Sequence, residues 1–318
     1  MTRRIASILS VLVFPILLIG ACGPAASTLP SSTTTAAAAA TATTPAFPAT
    51  VIDFQNRSVT VPQRPERIVS IGPSITEFLF ALGAGSRVVG TDDFSDEPTA
   101  AKAIDKVGGI KVNFEKVVSL KPELVLIVKF SDGTIEKLAS SGLVVLVVDP
   151  QTIGDVARTA TLIGRAVGAE GDALGRDIQK KVDDVKAKTA VATTKPRVYH
   201  EVDASDPTKI FTVGPGSYIH DLIEVAGGQN IAAKTATAYP QLSAEEILRA
   251  DPEVIVLAAD DYSAKPDQVA ARAGWSALSA VKNKRIVTIA PNLINRPGPR
   301  VGEAADAYAR LVHPELYR

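Results

Sequence analysis

Glu115-Lys-Val-Val-Ser-Leu-Lys-Pro-Glu-Leu-Val-Leu126 and Glu245-Glu-Ile-Leu-Arg-Ala-Asp-Pro-Glu-Val-Ile-Val256 carry one pattern twice, 130 positions apart (245 − 115). Each copy begins with a glutamate, runs through a short amphipathic turn, reaches Pro-Glu seven residues later and enters an apolar, β-branched run. The echo extends outward. Glu77-Phe-Leu-Phe-Ala-Leu-Gly83 matches Asp221-Leu-Ile-Glu-Val-Ala-Gly227, and Arg67-Ile-Val matches Arg197-Val-Tyr. A repeat this long implies two similar lobes, because a solenoid needs several short periods. Two lobes imply a cleft between them, with one glutamate presented on each side.

Apolar runs at Arg67–Ile71, Val88–Thr91, Leu124–Val128 and Val144–Val148 are followed by a second set at Arg197–Val202, Val254–Ala258 and Arg285–Ile289. Nearly continuous hydrophobicity is the mark of strands covered on both faces in an α/β sheet. Between the sets, Ile153, Val156, Ala160, Ile163, Val167, Leu174, Ile178, Val182 and Val185 recur at helical spacing. The fold class expected is therefore α/β: two similar Rossmann-like lobes bridged by one long helix, with a ligand cleft between them. The boundaries expected are an N-terminal lobe over 51–151, a connecting helix over 152–192, kinked at Gly168-Ala-Glu-Gly171, and a C-terminal lobe over 193–318.

The N-terminus carries a separate message. Arg3 and Arg4 precede an apolar run from Ile5 to Ile19 that is too short and broken for a membrane span and suits a secretory signal over 1–21. The run ends in Leu18-Ile-Gly-Ala-Cys22, which resembles a bacterial lipobox, with Cys22 as the lipidated first residue of the mature chain. From 22 to 50 the sequence is mostly Ala, Thr, Ser and Pro, with almost nothing large and apolar to bury, and reads as a flexible tether. Anchor, tether and body together predict an extracytoplasmic protein held at the outer face of the cytoplasmic membrane.

Composition narrows the function. The full chain of 318 residues has 34 basic and 34 acidic side chains, so nothing points to nucleic acid. Three histidines (His200, His220, His313) are too scattered for an evident metal cage. Among enzymes, a secreted hydrolase is the rival class. The nearest approach to its nucleophile elbow, Gly214-Pro-Gly-Ser-Tyr218, lacks the closing glycine, and Gly83-Ala-Gly-Ser-Arg-Val-Val-Gly90 misses dinucleotide spacing. No enzymatic activity and no intrinsic cofactor are expected.

The ordered set Arg67-Ile-Val-Ser-Ile-Gly-Pro-Ser-Ile-Thr-Glu77, Val89-Gly-Thr-Asp-Asp-Phe-Ser-Asp-Glu-Pro98, Asn113-Phe-Glu, Gly227-Gly-Gln-Asn-Ile231, Tyr239-Pro-Gln-Leu-Ser-Ala-Glu245 and Asn295-Arg-Pro-Gly-Pro-Arg300 resembles the helical-backbone solute-binding proteins of ABC importers. These serve the uptake of cobalamin, iron-siderophores and haem, and the resemblance covers roughly residues 51 to 318. It implies a monomeric partner of a permease dimer with its ATPase subunits, carrying a metal chelate. It also gives the paired glutamates a role: Glu115 and Glu245 match the acidic residues that dock on permease arginines. A plainer role competes, since each follows an N-cap candidate (Asn113, Ser243) and a first-turn carboxylate also complements the helix dipole.

Ligands of α/β lobes collect at the carboxyl ends of strands and at helix N-termini. That rule selects Pro73, Ser74, Asp92, Asp93, Phe94, Val128, Lys129 and Phe130 in the first lobe. In the second it selects Glu201, Asp203, Gly216 to Tyr218, Tyr239, Asp260 to Tyr262, Asn292, Arg296 and Arg300. Phe94 and Tyr239 match positions where corrinoid binders carry aromatics, whose faces would cover a macrocycle. Phe130 and Tyr262 are further aromatic candidates, and Arg296 a rim hydrogen-bond donor. Arg300 has a competing place as a cap of the last helix, and Trp275 reads as core. The ligand expected is a corrinoid, cobalamin foremost, with a ferric siderophore or haem as the alternative. Haem lacks a marked axial ligand, His200 and Tyr239 being the only suggestions.

Overall fold

The computed structural model describes residues 46–206, 208–260 and 263–318. The signal segment, Cys22, most of the tether and Tyr262 lie outside them. Described structure begins with a hairpin, β1 (Ala49–Ile52) paired antiparallel with β2 (Ser58–Val61), so the last two residues of the stretch expected as tether are strand. The first lobe continues with β3 (Ile68–Ile71), α1 (Pro73–Ala81), β4 (Val88–Thr91), α2 (Phe114–Ser119), β5 (Leu124–Ile127), α3 (Thr134–Ser140) and β6 (Val145–Val147). Its sheet is wholly parallel in the order β4-β3-β5-β6. Every residue of β3 and β5 is buried, the reason those runs are hydrophobic throughout instead of alternating.

The connector is two helices, α4 (Ile153–Val167) and α5 (Gly171–Thr189), where one long helix over 152–192 was expected. Gly168 ends α4 in a left-handed conformation (φ 70°), and α5 turns back along α4. The backbones nearly touch. A Cβ on Gly164 would sit 2.6 Å from the Gly171 Cα, and one on Gly175 would sit 2.8 Å from the Ala157 carbonyl oxygen. Thr161 donates to Asp172 (2.6 Å) across the same seam. The apolar stripe was read correctly, but it is shared by two antiparallel helices. α4 lies on β1 and α1 of the first lobe.

The second lobe contains β7 (Arg197–Asp203), β8 (Ile210–Thr212), α6 (Tyr218–Val225), β9 (Gln229–Asn230), β10 (Gln241–Leu242), α7 (Ala244–Ala250), β11 (Val254–Ala258), α8 (Pro266–Ala270), α9 (Ser279–Lys282), β12 (Ile286–Ile289), α10 (Pro291–Ile294) and α11 (Val301–Val312). Its parallel part runs β9-β7-β11-β12, the order of the first sheet, and β8 and β10 extend it antiparallel. α5 packs on α6 and α11 of this lobe, so the hairpin spans both lobes.

The repeat persists in atomic detail at the same offset. Ile68 pairs with Leu124, and Val198 with Val254. Arg67 Nε donates to the carbonyls of Leu120 and Lys121, and Arg197 Nε to those of Ala250 and Asp251. The Glu123 carboxylate accepts from the Arg67 backbone N–H (3.2 Å), and that of Glu253 from the Arg197 N–H (2.9 Å). In both lobes the Pro-Glu pair therefore ties the start of one strand to the arginine that opens its neighbour.

Candidate functional site

The loop after β4 is built around a buried carboxylate. Asp92 Oδ2 accepts from the Gly72 N–H (2.9 Å) and the Ser95 hydroxyl (2.5 Å), while Oδ1 accepts from the Phe94 N–H (2.9 Å). Three hydrogen bonds on one carboxylate fix a loop whose tip, Phe94, is left 53% exposed. Gly109 lies against that ring, where a Cβ would come within 3.0 Å of it. Asp93 is exposed beside the same glycine, and Ile110 stands out at 84% exposure. Phe130 is partly buried and packs on the core of the first lobe.

Across the cleft, residues expected to read a ligand are already engaged. Arg296 Nη1 lies 2.7 Å from Asp96 Oδ1 and 3.4 Å from Glu77 Oε1, and its Nη2 donates to the Phe94 carbonyl (3.1 Å). Arg300 grips Glu77 with two hydrogen bonds, at 2.8 and 2.7 Å. It occupies the N-cap position of α11, but its side chain crosses to the other lobe and does not cap the helix. Asn292 Nδ2 donates to Asp96 (3.2 Å). The cluster joins α1 and the β4 loop of one lobe to the segment after β12 of the other. Burial disfavours the Asp96 carboxylate, yet the Arg296 guanidinium outweighs it and holds that carboxyl below its ordinary range. Glu77 pushes the Arg300 guanidinium up in turn. A carboxylate at the head of the otherwise apolar Glu77–Gly83 segment was the available sign that Glu77 needs a cation.

The second lobe supplies two adjoining cavities. One of about 270 Å³ is lined by Tyr218, Tyr239, Asn295, Glu201 and Asp260 among others. A larger recess of about 590 Å³ shares Glu201 and Asp260 and reaches Arg272. Glu201 is held by both Arg272 nitrogens (2.5 and 2.8 Å) and by the Tyr199 hydroxyl (3.0 Å). Trp275 is buried edge-on to Tyr199 (6.1 Å), with the Arg272 guanidinium 4.7 Å from its ring, so it belongs to the core behind this wall. Tyr239 is 47% exposed. Partial burial raises its phenol, and so does the charge of Asp149, which follows β6 on the opposite lobe. Burial also raises Asp149, against the pull of Lys129. His200 is buried, with Nδ1 3.0 Å from the Tyr308 hydroxyl and its ring stacked on that tyrosine.

Glu115 and Glu245 are exposed in the first turns of α2 and α7. Capping there is done by other groups. Asn113 accepts from the Lys116 N–H, and Ser243 and Glu246 form a reciprocal capping box. Among the described residues, neither Glu115 nor Glu245 has an ion-pair or hydrogen-bond partner for its carboxylate. Also among the described residues, no group of three or more His, Cys, Asp or Glu could hold a metal ion, and no helix is long and apolar enough to cross a membrane.

Comparison with known proteins places this geometry in context. The model of a family described as periplasmic binding protein matches residues 68–293. An ABC transporter substrate-binding lipoprotein of Bacillus subtilis, YvrC, is 36% identical over 284 residues, covering 86% of this chain and 88% of its own length. A cobalamin-binding protein of Halobacterium salinarum is 35% identical over 289 residues, covering 84% and 75%. Among solved structures, the heme-binding protein HmuT superposes with a TM-score of 0.73 at 22% identity, over 85% of this chain and 91% of that one, a likeness of fold.

Proposed function

This chain belongs to the periplasmic binding protein family, and from that premise we propose that it is the substrate-binding lipoprotein of an ABC importer whose cargo is a corrinoid. It captures the ligand between its lobes and delivers it to a permease dimer. Cys22 is the lipid attachment site and the Ala/Thr/Ser/Pro stretch the tether, a reading supported by the likeness to a Bacillus lipoprotein.

The observation that carries the ligand class is the pair Phe94 and Tyr239, two half-exposed aromatic faces, one on each lobe at the inter-lobe boundary. Such faces suit a flat macrocycle. Charge then separates the chelates. Haem propionates and siderophore carboxylates call for uncommitted cations, whereas Arg296 and Arg300 are neutralised by Glu77 and Asp96, and Arg272 by Glu201. The His200 imidazole is only 2% exposed, which withdraws it from a haem iron in the cleft. A corrinoid with carboxamide arms asks for none of these. The name of the Halobacterium relative agrees.

Trp275, the only tryptophan, stands behind the wall of the larger recess and reports on it. Titration with cyanocobalamin, a ferric hydroxamate, a ferric catecholate and haemin is expected to perturb its fluorescence saturably with the corrinoid at the lowest concentration. Saturation by haemin or a siderophore first would replace the ligand. A flat response to all four at micromolar concentration would overturn the transport function.

A further inference from the structure

Tyr218 is the first residue of α6, only 5% exposed, and it lines the 270 Å³ cavity together with Tyr239 and Asn295. Its hydroxyl is buried and has no hydrogen-bond partner among the described residues. An unpaired buried hydroxyl destabilises the fold, and a phenylalanine would fill the same space without that cost. The described residues alone give no reason for the oxygen. We propose that the Tyr218 hydroxyl donates a hydrogen bond to an uncharged carboxamide arm of the bound ligand, making Tyr218 a specificity-determining residue. This rests on the corrinoid-binding function above and goes further by naming the group that is read and the residue that reads it.

The surroundings select the chemistry. Glu201 and Asp260 bring two carboxylates to the cavity wall, and among the described residues no lysine or arginine lines it. A ligand carboxylate entering there finds no free cation to hold it, because the Arg272 guanidinium behind Glu201 is already paired with that carboxylate. A carboxamide instead accepts from the tyrosine through its oxygen and, being uncharged, needs no cation. Burial raises the Tyr218 phenol well above its ordinary range, so it stays protonated and able to donate. Size agrees as well. The cavity is smaller than the ~300–1,000 Å³ of pockets that enclose whole ligands, so it fits an arm while the macrocycle stays between Phe94 and Tyr239.

The test is Tyr218→Phe in the full chain, which removes one oxygen and keeps the ring. Affinity for cyanocobalamin and dicyanocobinamide is measured beside the melting temperature of the unliganded protein. The expected result is an affinity about tenfold weaker for both corrinoids, with a melting temperature equal to or above the parent's. Equal affinity in parent and variant would mean that solvent satisfies the hydroxyl, and would overturn the role of Tyr218 while leaving the corrinoid function standing. A weaker affinity accompanied by a clear drop in melting temperature would make the hydroxyl structural and overturn it too. A parent protein that binds neither corrinoid overturns the ligand assignment itself, and the Tyr218 inference falls with it.

Discussion

His200 shows how much one residue can set the response of this protein to pH. Its imidazole is buried against Tyr308 in the second lobe, and burial lowers its pKa from 6.5 to about 4. The unfolded chain therefore binds a proton between those values that the folded protein refuses. By linkage, stability is fully present above pH 6.5 and is lost as pH falls toward 4. Denaturant unfolding is expected to show the parent losing about 2–3 kcal/mol more between pH 7 and pH 4.5 than His200→Asn, whatever the variant's stability at pH 7. Parallel pH curves for the two proteins would remove the assignment. The sequence marked His200 as a residue of interest but not its burial, because burial is decided by α11 and its Tyr308, over a hundred positions away. Arg296 has the same history. Its chemistry as a donor was legible, whereas its partners Glu77 and Asp96 come from the other lobe.

Elements were easier to read than side-chain partners. All seven apolar runs are strands, and in β3, β5 and β6 every residue is buried, which leaves little to disguise them. The short strands β8, β9 and β10 escaped because two or three residues, some of them glutamine and asparagine, carry no period. The α4–α5 hairpin was missed for a different reason: periodicity records which face is apolar and is silent about a reversal of direction. What encoded the reversal was glycine, placed where the two backbones meet. Gly164→Ala would set a Cβ 2.6 Å from the Gly171 Cα, so it is expected to destabilise the protein by about 1–3 kcal/mol despite alanine's better helix propensity. Gly154→Ala in the same helix, where the nearest atom would be 3.8 Å away, is expected to be neutral or slightly stabilising. Chemical unfolding of the pair checks the contrast, and equal effects would mean that helix propensity alone governs both positions.

The whole molecule is two copies of one sheet order joined by a helical hairpin and by the Glu77–Arg296–Arg300–Asp96 cluster across the cleft. Such a body can present one equivalent point per lobe to a two-subunit permease, and Glu115 and Glu245 are the candidates by repeat position. The objection that a first-turn glutamate only caps its helix loses force here. Asn113 caps one helix, Ser243 with Glu246 caps the other, and the carboxylates of Glu115 and Glu245 have no partner among the described residues. An exposed, unpaired carboxylate contributes little to folding, because even exposed ion pairs are worth only ~0–1 kcal/mol. Reversing both charges, with Glu115→Lys and Glu245→Lys together, should therefore leave the melting temperature and ligand affinity at parental values. Set against permease arginines, the same reversal replaces two attractions by two repulsions, and like-charge juxtaposition at an interface is strongly disfavoured. Uptake of labelled ligand by cells carrying the double variant is expected to be abolished, with each single variant intermediate. Normal uptake by the double variant would detach these glutamates from docking, and a parallel loss of ligand affinity would assign them to the cleft.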